Sequence, residues 1–157
     1  MQPIKTLSPE RLSGVRYILH DIDDTITNGG KLLPESYTAL WKLFRAGFQV
    51  IPVTGRPAGW CDLILREWPA AAVVGENGAS VDYWEGEERK RFFHPSVPRE
   101  RLDEKLREIE AACLREVPGC RVSKDQPYRV CDLAIDFNED VHLGMEAALK
   151  IKAVCER

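Results

Sequence analysis

Residues 15–25 read VRYILHDIDDT, a mostly apolar run that ends in three closely spaced acidic residues. The part at 15–20, VRYILH, is rich in residues that favour β structure and is typical of a buried strand. Asp21, Asp23 and Asp24 follow at its carboxyl end. Because ligands bind beyond the carboxyl ends of the strands in open parallel sheets, this stretch predicts a first strand that leads into a ligand site.

The chain continues as alternating helices and strands up to about residue 80. Pro34 predicts the start of a helix, because proline suits the first helical turn, and Gly47 is a good residue to end it. A strand over 48–53, a helix over 58–68 and a strand over 71–74 are predicted next. This β-α-β-α-β order with apolar strands predicts an α/β fold, a Rossmann-like parallel sheet covered by helices on both faces.

The pattern changes to α+β beyond residue 80. We predict a hairpin over 80–94, a helix over 98–117, strands over 120–123 and 129–137, and a last helix from about 140. The change indicates two domains, residues 1–80 and residues 81–157.

Composition restricts the function further. The 157 residues are 44% hydrophobic and 30% charged, with a net charge of −3 and no basic stripe, which argues against a nucleic-acid partner. No apolar run approaches the roughly 20 residues of a membrane span, so we expect no membrane partner. The five cysteines are odd in number and contain no C-x-x-C pair, which favours reduced thiols and a cytoplasmic location.

The residue types at two predicted strand ends favour phosphate chemistry. Three acids within four residues repel one another, and a divalent cation such as Mg²⁺ relieves that repulsion. One carboxylate could attack phosphorus while a second protonates the leaving oxygen. Thr54 and the Gly55 amide, at the end of the second strand, could hold phosphoryl oxygens. The alternative for an isolated Asp-x-Asp motif is a solvated turn.

Three segments resemble motifs of the haloacid dehalogenase (HAD) superfamily. VRYILHDIDDTIT at 15–27 resembles the first motif, and QVIPVTGRP at 49–57 resembles the second. VVGENGAS at 73–80 resembles a segment of members with a large cap after the third strand, the Cof-type and type IIB sugar-phosphate phosphatases. The resemblance implies a HAD-type core with strand order 3-2-1, an α+β cap, and Mg²⁺-dependent hydrolysis through an aspartyl-phosphate.

The resemblance also implies roles for single residues. The family's nucleophile, which also binds Mg²⁺, matches Asp21, and the general acid/base, which binds Mg²⁺ through its backbone carbonyl, matches Asp23. Thr54 matches the residue that holds the phosphoryl group, and Gly55 and Arg56 complete the predicted phosphate-binding set. Arg56 could instead contact the cap or cap the following helix. Asn77 could face the site or simply form a turn.

The family also requires a lysine and a further acidic motif, which the sequence does not show in the expected context. The candidates are Lys124, Asp132, Asp136 and Asp140. Lys124 stands too close to the acids for a helix and a strand to intervene, and two of the acids fall within a predicted strand. We therefore expect a chain that stops inside the cap, self-associates through its first strand and is a poor phosphatase.

The favoured function is Mg²⁺-dependent hydrolysis of a small phosphorylated metabolite, for example a sugar phosphate. One alternative is phosphomutase or phosphonatase chemistry at the same site. Another is a catalytically inactive fragment that serves as a binding or interaction module.

Overall fold

The computed structural model describes residues 3–96 and 102–157. The strands are β1 (Tyr17–His20), β2 (Thr27–Asn28), β3 (Lys31–Leu32), β4 (Gln49–Pro52), β5 (Ala72–Gly75), β6 (Ser80–Glu85), β7 (Glu88–Phe93), β8 (Arg121–Val122) and β9 (Ile135–Asp136). The helices are α1 (Pro9–Leu12), α2 (Pro34–Arg45), α3 (Ala58–Glu67), α4 (Leu102–Glu116) and α5 (Gly144–Cys155), and 3₁₀ turns lie at Glu76–Gly78 and Gln126–Tyr128. In these described ranges, no helix has both the length and the apolar character needed to cross a membrane.

The first part of the chain has the predicted α/β class and strand order. β1 runs parallel to β4, with Tyr17 opposite Gln49 and His20 opposite Pro52. β5 lies parallel on the other side of β4 and is joined to it by the Ala71 N–H, which donates to Val50 at 2.9 Å, and by a bridge between residues 53 and 74. The three strands therefore place their carboxyl ends at one edge, in the order predicted.

The hairpin β6–β7 continues this sheet through β5. β6 pairs antiparallel with β5 from Ser80 opposite Gly75 to Tyr83 opposite Ala72, and β7 pairs with β6. The hairpin lies in the predicted second part of the chain, yet β6 pairs with the edge of β5 that faces away from β4, because the backbone groups of that edge need partners. The division of the chain at residue 80 into two domains stays a prediction.

The remaining described residues, 102–157, form what we call the C-terminal unit. α4 and α5 pack together around buried side chains that are separate from those beneath the sheet. These are Cys113, Val117, Cys120, Ala147 and Val154, whereas the cluster against the sheet contains Ile22, Cys61, Ile64, Leu65, Ala70 and Val73. All five cysteines are free thiols. Residues 98–101 of the predicted long helix lie outside the described residues, and its later part is α4.

The predicted strand over 129–137 is wrong except at Ile135–Asp136, which pairs with β8. The amides of Val130, Cys131 and Asp132 donate to the carboxylate of Glu76 at 2.8, 2.6 and 3.1 Å. Those amides are therefore not available to a neighbouring strand, and the segment stays irregular.

Strand β1 has an open edge in the described structure. It pairs with β4, and no other described strand pairs with it. Tyr17 and Leu19 point to the same face, and each is 63% exposed. An apolar strand with unpaired backbone groups is a site at which another chain can add a strand.

We expect the chain to self-associate through β1. Light scattering at micromolar concentration should show species larger than a monomer. Leu19→Lys should restore the monomer, because pairing would bury a charge. Leu149→Lys is the matched control, since Leu149 is 62% exposed on α5, and it should leave association unchanged. A wild-type chain that is monomeric at this concentration would contradict the expectation.

Candidate active site

The acidic loop begins directly after β1. Ile22 is buried, and its carbonyl accepts hydrogen bonds from the amides of Thr25, Ile26 and Thr27 at 3.1–3.3 Å, so the loop turns tightly around this anchor. The turn leaves Asp21 exposed at the strand end, where the Thr25 hydroxyl donates to Asp21 Oδ2 at 3.2 Å. The buried anchor thus holds the Asp21 carboxylate at the carboxyl edge of the sheet.

Thr54 and Gly55 lie beside Asp21 because β1 and β4 are neighbours. Thr54 is 3% exposed, and its hydroxyl accepts a hydrogen bond from the Arg56 amide at 3.0 Å, which leaves the hydroxyl proton for another acceptor. A Cβ atom at position 55 would lie 2.9 Å from Asn77 Oδ1, so a larger residue here would displace the Asn77 side chain. Asp21, Thr54 and Gly55 border a cleft of about 470 Å³, which we call the strand-end cleft. Its lining residues are Leu19, His20, Asp21, Val53, Thr54, Gly55 and Asn77.

Asp23 and Arg56 face a second, larger cleft of about 580 Å³ between the sheet and the C-terminal unit, which we call the inter-unit cleft. Its lining residues are Asp23, Gly55, Arg56, Ser123, Asp125, Arg129 and residues 134–139. Arg56 Nε and Nη2 both donate to the Asp23 carboxylate, with Nη2 at 2.8 Å from Oδ1. This contact with Asp23 is the main reason that the pKa of Arg56 is raised.

Arg56 also bridges to the C-terminal unit and to α3. Its Nη1 lies 3.6 Å from Glu139 Oε1, and its guanidinium lies 4.9 Å from the centre of the Trp60 ring. Of the roles that the sequence left open for Arg56, contact with the second part of the chain is present in the structure. Asn77 has the left-handed conformation of a turn, with φ 57°, and it also faces the strand-end cleft.

Two residues that sequence reasoning missed shape the site. Glu76 is 2% exposed, and its carboxylate accepts hydrogen bonds from both the sheet side and the C-terminal unit. Arg129 pairs with Asp125 and Asp132, and its Nη1 donates to the Gly55 carbonyl at 3.0 Å. Burial raises the pKa of Asp132, although Arg129 opposes that effect. A glutamate in a Gly-Glu-Asn-Gly segment looks like a solvated turn residue, so only its burial identifies it.

The residues considered for the family's lysine and further acidic motif have other partners. Lys124 Nζ lies 2.9 Å from Asp140 Oδ2, and the Lys124 side chain is 81% exposed. Asp136 accepts hydrogen bonds from the amides of residues 138, 139 and 140 at 2.7–2.9 Å. Asp132 accepts from Asn77 at 3.3 Å and pairs with Arg129. Each of these contacts has a role in holding the C-terminal unit together or to the sheet.

The donor set at the strand ends fits magnesium, which uses few protein ligands. In the ranges 3–96 and 102–157, no group of three or more His, Cys, Asp or Glu side chains is arranged to hold a metal ion. Mg²⁺ is commonly held by one or two carboxylates, with water and substrate phosphate as the other ligands. The exposed carboxylate of Asp21 meets that requirement, and the Asp23 backbone is close in sequence on the same turn.

Comparison with solved structures finds similar chains. A protein from Thermoplasma acidophilum has a TM-score of 0.67 and 17% identity, with 90% of this chain and 57% of that chain covered. A HAD-superfamily phosphatase from Bacteroides thetaiotaomicron has a TM-score of 0.48 and 23% identity, with 68% and 39% covered. Trehalose-6-phosphate phosphatase from Aspergillus fumigatus has a TM-score of 0.46 and 15% identity, with 91% and 55% covered. Of these three, only the Thermoplasma structure has a TM-score above 0.5, and at 17% identity that likeness concerns the fold alone.

The chain thus spans a little over half the length of the Thermoplasma protein. No curated protein matches it. Residues 18–112, more than half of the chain, match the haloacid dehalogenase-like hydrolase family, and this range contains the acidic loop, Thr54 and the segment around Glu76. The predicted resemblance is therefore confirmed, and the chain belongs to the haloacid dehalogenase-like hydrolase family.

Proposed function

We propose that this chain carries the nucleophile of a Mg²⁺-dependent phosphomonoester hydrolase that works through an aspartyl-phosphate. The observation that carries the proposal is the convergence of Asp21, Thr54 and Gly55 on the strand-end cleft, at neighbouring strand ends. An exposed carboxylate can accept a phosphoryl group. The neighbouring hydroxyl, whose proton is available, and the glycine amide can hold the phosphoryl oxygens.

The residues divide the reaction between the two clefts. Asp21 attacks phosphorus from the strand-end cleft, and Thr54 and Gly55 hold the transferred oxygens. Asp23, which faces the inter-unit cleft, leaves its contact with Arg56, takes up a proton from solvent and gives it to the leaving oxygen, and it later takes one from the attacking water. Mg²⁺, when bound, offsets negative charge between Asp21 and the phosphate.

The inter-unit cleft suits a small polar leaving group. Its walls carry Asp23, Arg56, Asp125 and Arg129, so the part of a substrate beyond the phosphate meets charged and hydrogen-bonding groups. A phosphorylated metabolite with hydroxyl groups, such as a sugar phosphate, has the matching chemistry. The free thiols fit a reducing compartment such as the cytoplasm, where we place the protein.

A phosphatase assay tests the proposal. The chain is incubated with p-nitrophenyl phosphate and Mg²⁺, with EDTA as the control, and product formation is followed to low rates because we expect slow turnover. Intact-mass measurement after acid quench with acetyl phosphate looks for a phosphorylated chain. Neither product nor phosphorylated chain, in a protein that is folded by circular dichroism, would contradict the proposed function.

The rival function is a catalytically inactive binding or interaction module. One observation favours it, since Asp23 is held by two nitrogens of Arg56 and must exchange that contact before it can serve a substrate. Mg²⁺-dependent phosphorylation of Asp21 would exclude the rival, because a binding module forms no covalent phosphate.

A further inference from the structure

Glu76 joins parts of the chain that are distant in sequence. One carboxylate oxygen, Oε1, accepts from the amide of Ala58 at 2.9 Å, at the start of α3, and from Val130 at 2.8 Å. The other, Oε2, accepts from Cys131 at 2.6 Å and Asp132 at 3.1 Å. The side chain is therefore surrounded by four backbone donors and is almost completely excluded from water.

Residues 126–132, here called the docking segment, make further contacts at the same edge of the sheet. Arg129 donates to the Gly55 carbonyl, and Asn77 donates to Asp132. At Gly59 a Cβ atom would lie 3.1 Å from Tyr128 Cβ, so the segment packs closely on α3. Every one of these partners belongs to the strand ends or to α3.

We infer that Glu76 is a positioning residue that fixes the docking segment against the strand ends and so sets the shape of the inter-unit cleft. The inference rests on the proposed function, because it assigns that cleft to the leaving group of a substrate. Arg129 and Asp125 line the cleft. Arg129 belongs to the docking segment, and Asp125 directly precedes it and pairs with Arg129. A shift of the segment would therefore move two charged groups that face the substrate.

The chemistry of the contact requires a carboxylate. Its two oxygens accept all four amides, whereas a glutamine has one oxygen and would place an N–H₂ donor against two other donors. Hydrogen bonds to an ionised group are the stronger ones, and a buried donor left without a partner is costly. Glutamine at position 76 should thus release part of the docking segment while it keeps the side-chain volume.

Amide hydrogen exchange of the full chain tests the positioning role without any need for turnover. The amides of residues 130–132 lie outside helices and strands and donate to Glu76, so their protection in the wild type should depend on Glu76. Glu76→Gln should lower that protection by about tenfold or more. Glu108→Gln, at an exposed position on α4, is the matched control and should leave it unchanged. Unprotected amides in the wild type, or full protection in Glu76→Gln, would overturn the inference.

A second variant approaches the segment from the other side and leaves Glu76 intact. Gly59→Val should press on Tyr128, because the added side chain meets an existing contact, and should leave residues 130–132 protected through Glu76. A loss of protection at residues 130–132 as large as that in Glu76→Gln would show that the fit on α3, and not Glu76, fixes the segment, contrary to the inference.

Kinetics then separate positioning from a general loss of structure. Glu76→Gln should raise the KM of a hexose phosphate about tenfold and that of acetyl phosphate less than about twofold, with kcat retained for both. Equal losses for the two substrates would overturn the assignment of the inter-unit cleft. If the wild type shows no turnover or phosphorylation, the proposed function fails, whereas the exchange measurements still decide whether Glu76 positions the segment.

Discussion

Asparagine in place of Asp21 is expected to lower phosphatase turnover and aspartyl-phosphate formation by at least about two orders of magnitude. The amide cannot attack phosphorus as a carboxylate does, and no phosphorylated chain should form. The Asp21 side chain is exposed and Thr25 is its hydrogen-bond donor, so the fold should be retained. Intact-mass measurement with acetyl phosphate and steady-state rates with an aryl phosphate check both effects.

Asp24→Asn is the matched control for this variant. Asp24 lies in the same loop and is exposed, and its φ of 56° is in the left-handed region, which asparagine tolerates well. The control should therefore keep wild-type rates. An Asp21→Asn chain that retains more than a few per cent of the wild-type rate would falsify the assignment of the nucleophile.

Alanine in place of Asp82 is expected to destabilise the protein by about 3 kcal/mol or more. The Asp82 side chain is fully buried in β6, and its carboxylate accepts from Arg89 Nη1 at 2.9 Å and from Arg91 Nε and Nη2 at 2.9 and 3.0 Å. Removal of the carboxylate leaves two partly buried guanidinium groups without this shared partner. Because Arg91 also donates to the Ala58 carbonyl, the change should loosen the hairpin from α3.

Urea unfolding measures this effect, with Asp103→Ala on the exposed surface of α4 as the control. The control should change the free energy of unfolding by less than about 0.5 kcal/mol. Replacement of Asp82 and both arginines by apolar residues of similar volume should restore much of the loss, because the buried charges then disappear together. A loss below about 1 kcal/mol in Asp82→Ala would mean that solvent reaches these arginines and satisfies them.

Local patterns were sufficient for the elements that build the site. The apolar run before Asp21 predicted β1, Pro34 predicted the start of α2, and Thr54 was predicted at the end of the neighbouring strand. Each inference depends on residues close together in sequence, since strand and helix periodicity and turn chemistry are local properties. The parallel order β1-β4-β5 also followed, from the resemblance to the family together with the right-handedness of crossovers.

Contacts between distant residues were decided by the tertiary structure alone. The sequence of the hairpin did not reveal which strand it pairs with, because that sequence is compatible with any open strand edge. The segment around residue 131 has a strand-like sequence, yet its amides bond to Glu76, 55 residues earlier, and it remains irregular. Arg56 likewise meets Asp23 across 33 residues.

The sequence by itself therefore determined the α/β class, the strand ends and the family, because these depend on local apolar periodicity and on motifs of a few residues. Only the tertiary structure decided that a turn-like glutamate is a buried acceptor and that Asp23 and Asp21 face different clefts. The physical reason is that burial and hydrogen-bond partnership are properties of the assembled chain. A carboxylate is stable in the interior only where donors converge on it, and the donors to Glu76 come from separate segments of the chain.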